Sequence, residues 1–134
     1  VEGWSAVIVG VGNLGSALAH YGSFKDKGFS VVGLFDDDPK KINTQLAGLV
    51  IKPLNELEDY CNKFNVAIGI IATPGEFAQS VADELINCGV RSILNFAPVL
   101  LKNVKDIQIR SVDLSQELQI LSYYLDRPIL KAVD

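Results

Sequence analysis

Hydrophobic and polar residues alternate along this chain in blocks that predict strands followed by helices. Short apolar runs flanked by turn residues, typical of buried strands, occupy residues 4–9, 30–35, 49–51, 66–72 and 92–96. Apolar residues at helical spacing follow in residues 16–21, 54–64 and 76–88, and an alternating run at 107–112 suits an edge strand. This alternation predicts a Rossmann-like α/β fold, a doubly wound parallel sheet with helices on both faces.

Two of the predicted helices carry apolar residues along one stripe. The stripe of the 54–64 helix consists of Leu54, Leu57, Tyr60, Cys61 and Phe64. The stripe of the 76–88 helix consists of Phe77, Val81, Leu85 and Cys88.

A glycine-rich turn, GVGNLG at residues 10–15, joins the first strand to the first helix. Gly10 allows the tight turn, Gly12 leaves the backbone open to a pyrophosphate, and Gly15 permits close packing of helix and sheet. The amides of Asn13 and Leu14 lie at the helix start, where the dipole favours phosphate. This arrangement predicts a dinucleotide site.

Asp36 ends the second strand 21 residues after Gly15, close to the spacing of about 20 that the dinucleotide motif requires. A carboxylate there can accept hydrogen bonds from both adenosine ribose hydroxyls. It would also repel a 2′-phosphate, and Asp37 and Asp38 add to that negative field, so the sequence favours NADH and NAD⁺ over their phosphorylated forms. The alternative is a nucleotide-free domain in which these aspartates only form a turn before Pro39.

Two further turns lie at the carboxyl ends of predicted strands, where ligands bind in this fold. One contains Thr73 and Pro74, and the other covers residues 95–98. We therefore expect them to share a cleft with the glycine turn and Asp36.

Composition fits one acidic globular unit. The chain has 134 residues, is 49% hydrophobic and carries a formal net charge of −4, which disfavours nucleic-acid binding by this segment. No apolar run is long enough for a membrane span, and no signal peptide is recognisable. With one histidine and two separated cysteines there is no zinc set, so we expect no metal, and buried free thiols in a cytoplasmic protein.

The last predicted helix, residues 113–125, carries a leucine stripe. Asp113 suits its N-cap, and the stripe consists of Leu114, Leu118, Leu121 and Leu125. The spacing alone allows two alternatives: the helix packs on its own sheet, or it buries this face in a second subunit.

Several segments together resemble the C-terminal domain of Rex, the redox-sensing transcriptional repressors. The resemblance runs from about residue 7 to 125 and rests on GVGNLGSALAHY, FDDDPKKI, AQSVADELINCGV, ILNFAPVLL and SVDLSQELQILSYYL. It implies a homodimer that senses the NADH/NAD⁺ ratio and exchanges its C-terminal helix between subunits. NADH would favour a closed dimer that releases operator DNA, which an N-terminal winged-helix domain absent from this sequence would bind.

The resemblance also implies roles for individual residues. Thr73 and Pro74 would line the cofactor, and the nicotinamide side would be formed by Asn95, Phe96, Ala97 and Pro98. Tyr21 would approach the nicotinamide and pair with Asp113 of the other subunit. Leu114 occupies a position that is aromatic in some members, so it would fill space there without stacking.

The chain divides into two predicted regions, and two alternative functions remain open. We expect an NAD(H)-binding Rossmann domain over residues 1–112 and a dimerisation helix within residues 113–134. One alternative is a coenzyme A-binding domain of the succinyl-CoA ligase type; Asp36 opposes it because coenzyme A carries a 3′-phosphate. The other is an NAD-dependent dehydrogenase, which needs an acid or base at the nicotinamide. The single histidine, His20, falls in the first helix, so we expect no enzyme.

Overall fold

A single seven-stranded sheet forms the framework of this protein in a computed structural model, which describes residues 3–21, 23–114, 120–123 and 125. The strands are β1 (Trp4–Val9), β2 (Phe29–Asp36), β3 (Gln45–Leu46), β4 (Leu49–Pro53), β5 (Ile68–Ile71), β6 (Ser92–Asn95) and β7 (Gln108–Ser111). The helices are α1 (Asn13–Ala19), α2 (Ser23–Asp26), α3 (Leu57–Phe64) and α4 (Gly75–Asn87), and a 3₁₀ turn (Leu54–Glu56) precedes α3.

The strand order is β3-β4-β2-β1-β5-β6-β7, and every pairing is parallel except the short β3–β4 hairpin. The chain adds β2 and β4 on one side of β1 and then returns to add β5, β6 and β7 on the other. The order therefore reverses at β1 and β5, the position at which such sheets bind ligands beyond their carboxyl ends. The predicted Rossmann-like fold is confirmed.

Both faces of the central strands are buried, as a parallel sheet between helices requires. On the α3/α4 side, Val7 and Phe35 pack with Leu85 in one apolar core. A second core on the opposite face includes Ile8 and Leu34. The α4 helix lies so close to β5 that a Cβ on Gly69 would come within 2.5 Å of a Leu85 methyl group.

Several local elements differ from the sequence prediction. The first helix begins at Asn13, inside the glycine motif, because the turn itself supplies the first helical residues. The short helix α2 and the β3–β4 hairpin were not predicted; Ala47 and Gly48 both have positive φ in the hairpin turn. The crossover from β6 to β7, residues 96–107, contains no helix.

Most of the predicted stripe residues are buried, namely Leu57, Cys61, Val81, Leu85 and Cys88. Phe64 and Phe77 belong to the same stripes but are 48% and 46% exposed. Phe64 is the last residue of α3, and Phe77 lies in the first turn of α4, where the helix passes the edge of the sheet. Helical spacing identifies a face but does not indicate where along the helix the sheet ends.

The two cysteines are free and buried, as the sequence predicted. Burial raises the pKa of Cys61 well above its ordinary value, with further contributions from the neighbouring Cys88. Burial also raises the pKa of Cys88, whose thiol donates to the Leu85 carbonyl at 3.2 Å. Both groups are therefore protonated near neutral pH and poor nucleophiles.

Within the described ranges, no helix is long and apolar enough to cross a membrane, and no cluster of three metal-ligating side chains occurs. Leu114, residues 120–123 and Leu125 are helical, in agreement with the predicted C-terminal helix, and Asp113 directly precedes them. Leu118 and residues 126–134 lie outside the described residues.

Candidate functional site

The backbone of the glycine turn approaches the end of β5 more closely than any side chain permits. Gly10 has φ +99°, and a Cβ there would lie 2.6 Å from the carbonyl carbon of Ala72. A Cβ on Gly15 would lie 1.9 Å from the carbonyl oxygen of Gly10. Glycine is therefore required at both positions, in the tight-turn and close-packing roles that their spacing indicates.

Gly12 is under no such internal constraint. Nothing lies within 4 Å of the Cβ that Gly12 lacks, and its φ of −85° is accessible to any residue. Gly12 is also the N-cap of α1, and no side chain caps that helix turn. The open space and the amides of the first turn provide a site for a negatively charged group.

Two side chains, one at the end of β2 and one in the segment that follows it, hold the peptide groups of Val11. The Asp36 carboxylate accepts a hydrogen bond from the Val11 amide at 2.7 Å, and its other oxygen accepts one from the Asp38 amide at 2.9 Å. The Lys41 ammonium group donates to the Val11 carbonyl at 2.9 Å. Hydrogen bonds to both the amide and the carbonyl of Val11 therefore hold the turn between Gly10 and Gly12 in place.

These residues face a cleft of about 480 Å³ at the switch point of the sheet. Six of the residues singled out from the sequence line it: Gly10, Gly12, Asp36, Asp37, Thr73 and Pro74. Asp38 also lines it, and four further lining residues were not predicted for the site: Lys41, Leu54, Phe77 and Ser80. Phe77 carried a usable signal, because an aromatic residue three positions after Pro74 falls in the first turn of the helix beside the site.

Asn95 is placed differently from the cleft residues. Its side chain is fully buried at 0% exposure, and its amide bonds to the loop that follows it and to Ser111. Ala97 and Pro98 line a second cavity of about 270 Å³ together with residues 111–113. Phe96 packs against the core on the α1 side of the sheet.

The residues predicted for subunit contacts lie away from the glycine cleft. Tyr21 is 55% exposed and packs edge-to-face against Phe24, with ring centroids 4.8 Å apart. Asp113 lines the cavity beside Pro98, whereas Tyr21 lines another one beside His20. The His20 ring is exposed and bonds to the Ser16 carbonyl of its own helix, so it does not reach the cleft.

Comparison with known proteins identifies the family. The model of the CoA binding domain family matches residues 1–99, most of the chain. This chain belongs to that family. The resemblance to Rex is confirmed within it: the redox-sensing repressor Rex of Desulforamulus reducens is 48% identical over 91% of this chain, and Rex of Streptomyces coelicolor is 48% identical over 94%. The chain covers 58% and 49% of these two relatives, so it corresponds to part of such a protein.

Solved structures agree with this assignment. A crystal structure of RSP, a protein of the Rex family, in complex with β-NADH matches 98% of this chain with a TM-score of 0.85 at 33% identity. The complex of RSP with β-NAD⁺ and operator DNA matches 92% with a TM-score of 0.86. An NAD-binding oxidoreductase from Klebsiella pneumoniae, 19% identical with a TM-score of 0.58, shares only the fold.

The geometry of the glycine turn predicts opposite stability effects for two similar substitutions. Gly15→Ala forces a methyl group onto the Gly10 carbonyl, so we expect a loss of at least about 1–3 kcal/mol in the free energy of unfolding. Gly12→Ala fills open space, so we expect a change within about 0.5 kcal/mol. Urea denaturation followed by circular dichroism measures both. Equal destabilisation by the two substitutions would contradict this account of the turn.

Proposed function

We propose that this chain is the NADH/NAD⁺-sensing domain of a transcriptional repressor, acting as a sensor and not as an enzyme. The observation that carries the proposal is the open face of Gly12 beside the Asp36 carboxylate in a single cleft. A relative of known structure holds β-NADH on the same fold, at 33% identity over nearly the whole chain. Because the chain covers only part of its relatives, this role belongs to a longer protein.

In the proposed complex the pyrophosphate lies against Gly12 and the first turn of α1, with the amides of Asn13 and Leu14 as donors. Asp36 accepts the adenosine ribose hydroxyls. Each of its oxygens accepts one backbone hydrogen bond and has a second lone pair available for the ribose. Leu54 and Phe77, which also line the cleft, would provide apolar walls for the adenine.

The nicotinamide half would extend past Thr73 and Pro74 towards residues 96–98. NAD⁺ has a cationic ring and NADH a neutral one, so an apolar environment disfavours the oxidised form through the cost of desolvating its charge. A thousandfold preference corresponds to about 4 kcal/mol, which is within reach of a modest difference in polarity. The preference acts on the repressor only if NADH binds its two dimer arrangements with different affinities.

Dimerisation through the C-terminal helix is the second part of the proposal. Leu114, Leu121 and Leu125 are 40%, 60% and 63% exposed in the single chain. Exposure of these leucines favours a helix that buries its apolar face in a second subunit over one packed on its own sheet. The α2 side of the sheet offers a complementary surface, an apolar hollow of about 130 Å³ lined by residues that include Phe29, Ile68 and Leu94. Asp113 would then approach Tyr21 of the other subunit.

Operator DNA would bind through a different part of the whole protein. The net charge of −4 makes this chain a poor partner for a phosphate backbone. RSP, which aligns with this chain over 57% of its own length, is known in a complex with operator DNA. A regulator of this kind acts in the cytoplasm.

The two other classes have weaker support. The family is named for coenzyme A binding, but three consecutive carboxylates, Asp36 to Asp38, line the cleft where a 3′-phosphate would approach. Similarity to dehydrogenases is limited to the fold, and the one histidine is turned to its own helix.

Titration calorimetry of this chain with NADH, NAD⁺, NADPH and coenzyme A tests the proposed function. We expect the tightest binding for NADH, weaker binding for NAD⁺ and little binding of the other two. Gly12→Ala serves as a folded control that blocks the pyrophosphate site and should abolish the signal. Equal affinities for NADH and NAD⁺ would remove the sensing role, and tight binding of coenzyme A alone would replace the proposal.

Asp36→Ala should weaken NADH binding about 10- to 100-fold and reduce the discrimination against NADPH. The expected loss follows from charge-assisted bonds to the ribose, each worth about 1.5–3 kcal/mol. Asp36→Asn keeps the shape and one acceptor but loses one of the two bonds to backbone amides, so urea denaturation of both variants measures how much of the loss comes from the Val11 turn. If the alanine variant binds both cofactors as the wild type does, Asp36 is not at the ribose.

Leu121→Asp should convert a dimer into a monomer without unfolding the chain, because it places a charge on a surface that is exposed in the monomer. Sedimentation equilibrium at micromolar concentration measures the change. Leu121→Met preserves the apolar surface and should leave the dimer intact. A wild-type chain that sediments as a monomer would refute the proposed dimer interface for this segment.

A further inference from the structure

Asn95 is the one polar residue that is fully buried among those the structure describes. It ends β6 at the carboxyl edge of the sheet, between the loop formed by residues 96–99 and the segment 111–113 that leads into the C-terminal helix. A buried amide must satisfy its hydrogen bonds within the protein, so its partners define what it holds in place.

On one side, the Asn95 amide group bonds to the loop that follows β6. The Ala97 amide donates to the Asn95 Oδ1 at 3.0 Å, which leaves Nδ2 facing the acceptors. Nδ2 lies 2.9 Å from the Val99 carbonyl, 3.3 Å from the Ala97 carbonyl and 3.3 Å from the Ser111 hydroxyl oxygen. An amide nitrogen has two hydrogens, so three acceptors compete for two donors.

The opposite side of Asn95 holds the segment that leads into the C-terminal helix. The Val112 amide donates to the Asn95 carbonyl at 2.8 Å, and Ser111 is its partner in the β6–β7 pairing. Asp113 is the next residue. The loop and this segment face each other across the cavity of about 270 Å³ that Pro98 and Asp113 both line.

We infer that Asn95 is a positioning residue that links the 96–99 loop to the 111–113 segment through the competition for its two amide hydrogens. When the loop draws Nδ2 towards the Ala97 and Val99 carbonyls, Ser111 loses its donor; when Ala97 moves away, Ser111 gains it. The consequence for regulation rests on the proposed function. A nicotinamide that displaces the loop would change the hydrogen bond from Asn95 to Ser111, and through Ser111 the position of Asp113.

Amide hydrogen exchange of the unliganded 134-residue chain, resolved by NMR, tests the link directly. Ser111→Ala removes one competing acceptor from an exposed position. Exchange should become slower at Ala97 and Val99 and faster at Val112 and Asp113, each by about two- to tenfold, the range that one neutral hydrogen bond gives. Exchange rates that change in opposite directions in the two segments distinguish competition for Asn95 from a general destabilisation of both segments.

Two matched variants complete this experiment. Ser111→Thr retains the hydroxyl and should restore the wild-type pattern. Ser92→Ala makes the same change at the opposite end of β6 and should leave both segments unaffected. Faster exchange on both sides, or a change limited to residues 111–113, would overturn the inference.

The cofactor experiment separates this inference from the proposed function. We expect NADH to change the dimer dissociation constant of the wild type. The ratio of the constants without and with NADH measures this effect, and Ser111→Ala should reduce it about two- to tenfold. A wild-type dissociation constant that NADH leaves unchanged would refute the sensing role. The hydrogen-exchange result would still decide whether Asn95 links the 96–99 loop to the 111–113 segment. A ratio unchanged in Ser111→Ala would refute transmission through Ser111.

Discussion

The close approach of the glycine turn to the end of β5 is the constraint on which the rest of this structure depends. At Gly10 and Gly15 the space for a Cβ is already occupied by backbone atoms, so the central strands, the turn and α1 fit together only without side chains. This contact places the start of α1 at the point where the strand order reverses. The same turn leaves the space beside Gly12 empty, and Gly12 lines the cleft.

The turn is then fixed by charged groups that also line the cleft. Asp36 and Lys41 hold the two peptide groups of Val11, so their charges stabilise the protein and at the same time face the cleft. Such preorganisation reduces the ordering that a dinucleotide must impose when it binds. It also means that stability and affinity are linked at Asp36, whereas Gly12→Ala touches neither side chain and tests the affinity alone.

The fold and half of the cleft were predictable because they depend on local signals. Apolar runs identified the buried strands, and the spacing of Gly10, Gly12, Gly15 and Asp36 identified the switch point. Phe77 and Lys41 were missed because their positions depend on how a helix and a loop meet the edge of the sheet. Lys41 reaches Val11 over 30 residues, a contact that no periodic pattern encodes. The buried role of Asn95 likewise depends on Ser111, which only sheet pairing brings near.

The name of the family and the chemistry of this cleft point to different ligands, and charge decides between them. A doubly wound sheet with a glycine turn accepts the pyrophosphate of either coenzyme A or NADH, because backbone amides do not distinguish the two. The distinction lies at the ribose, where coenzyme A carries a phosphate and NADH a free diol. Asp36, Asp37 and Asp38 all line that end of the cleft, and Lys41, the cation among the lining residues, donates to a backbone carbonyl. Carboxylates accept hydrogen bonds from a diol and repel a phosphate, so these charges favour the proposed redox cofactor over coenzyme A.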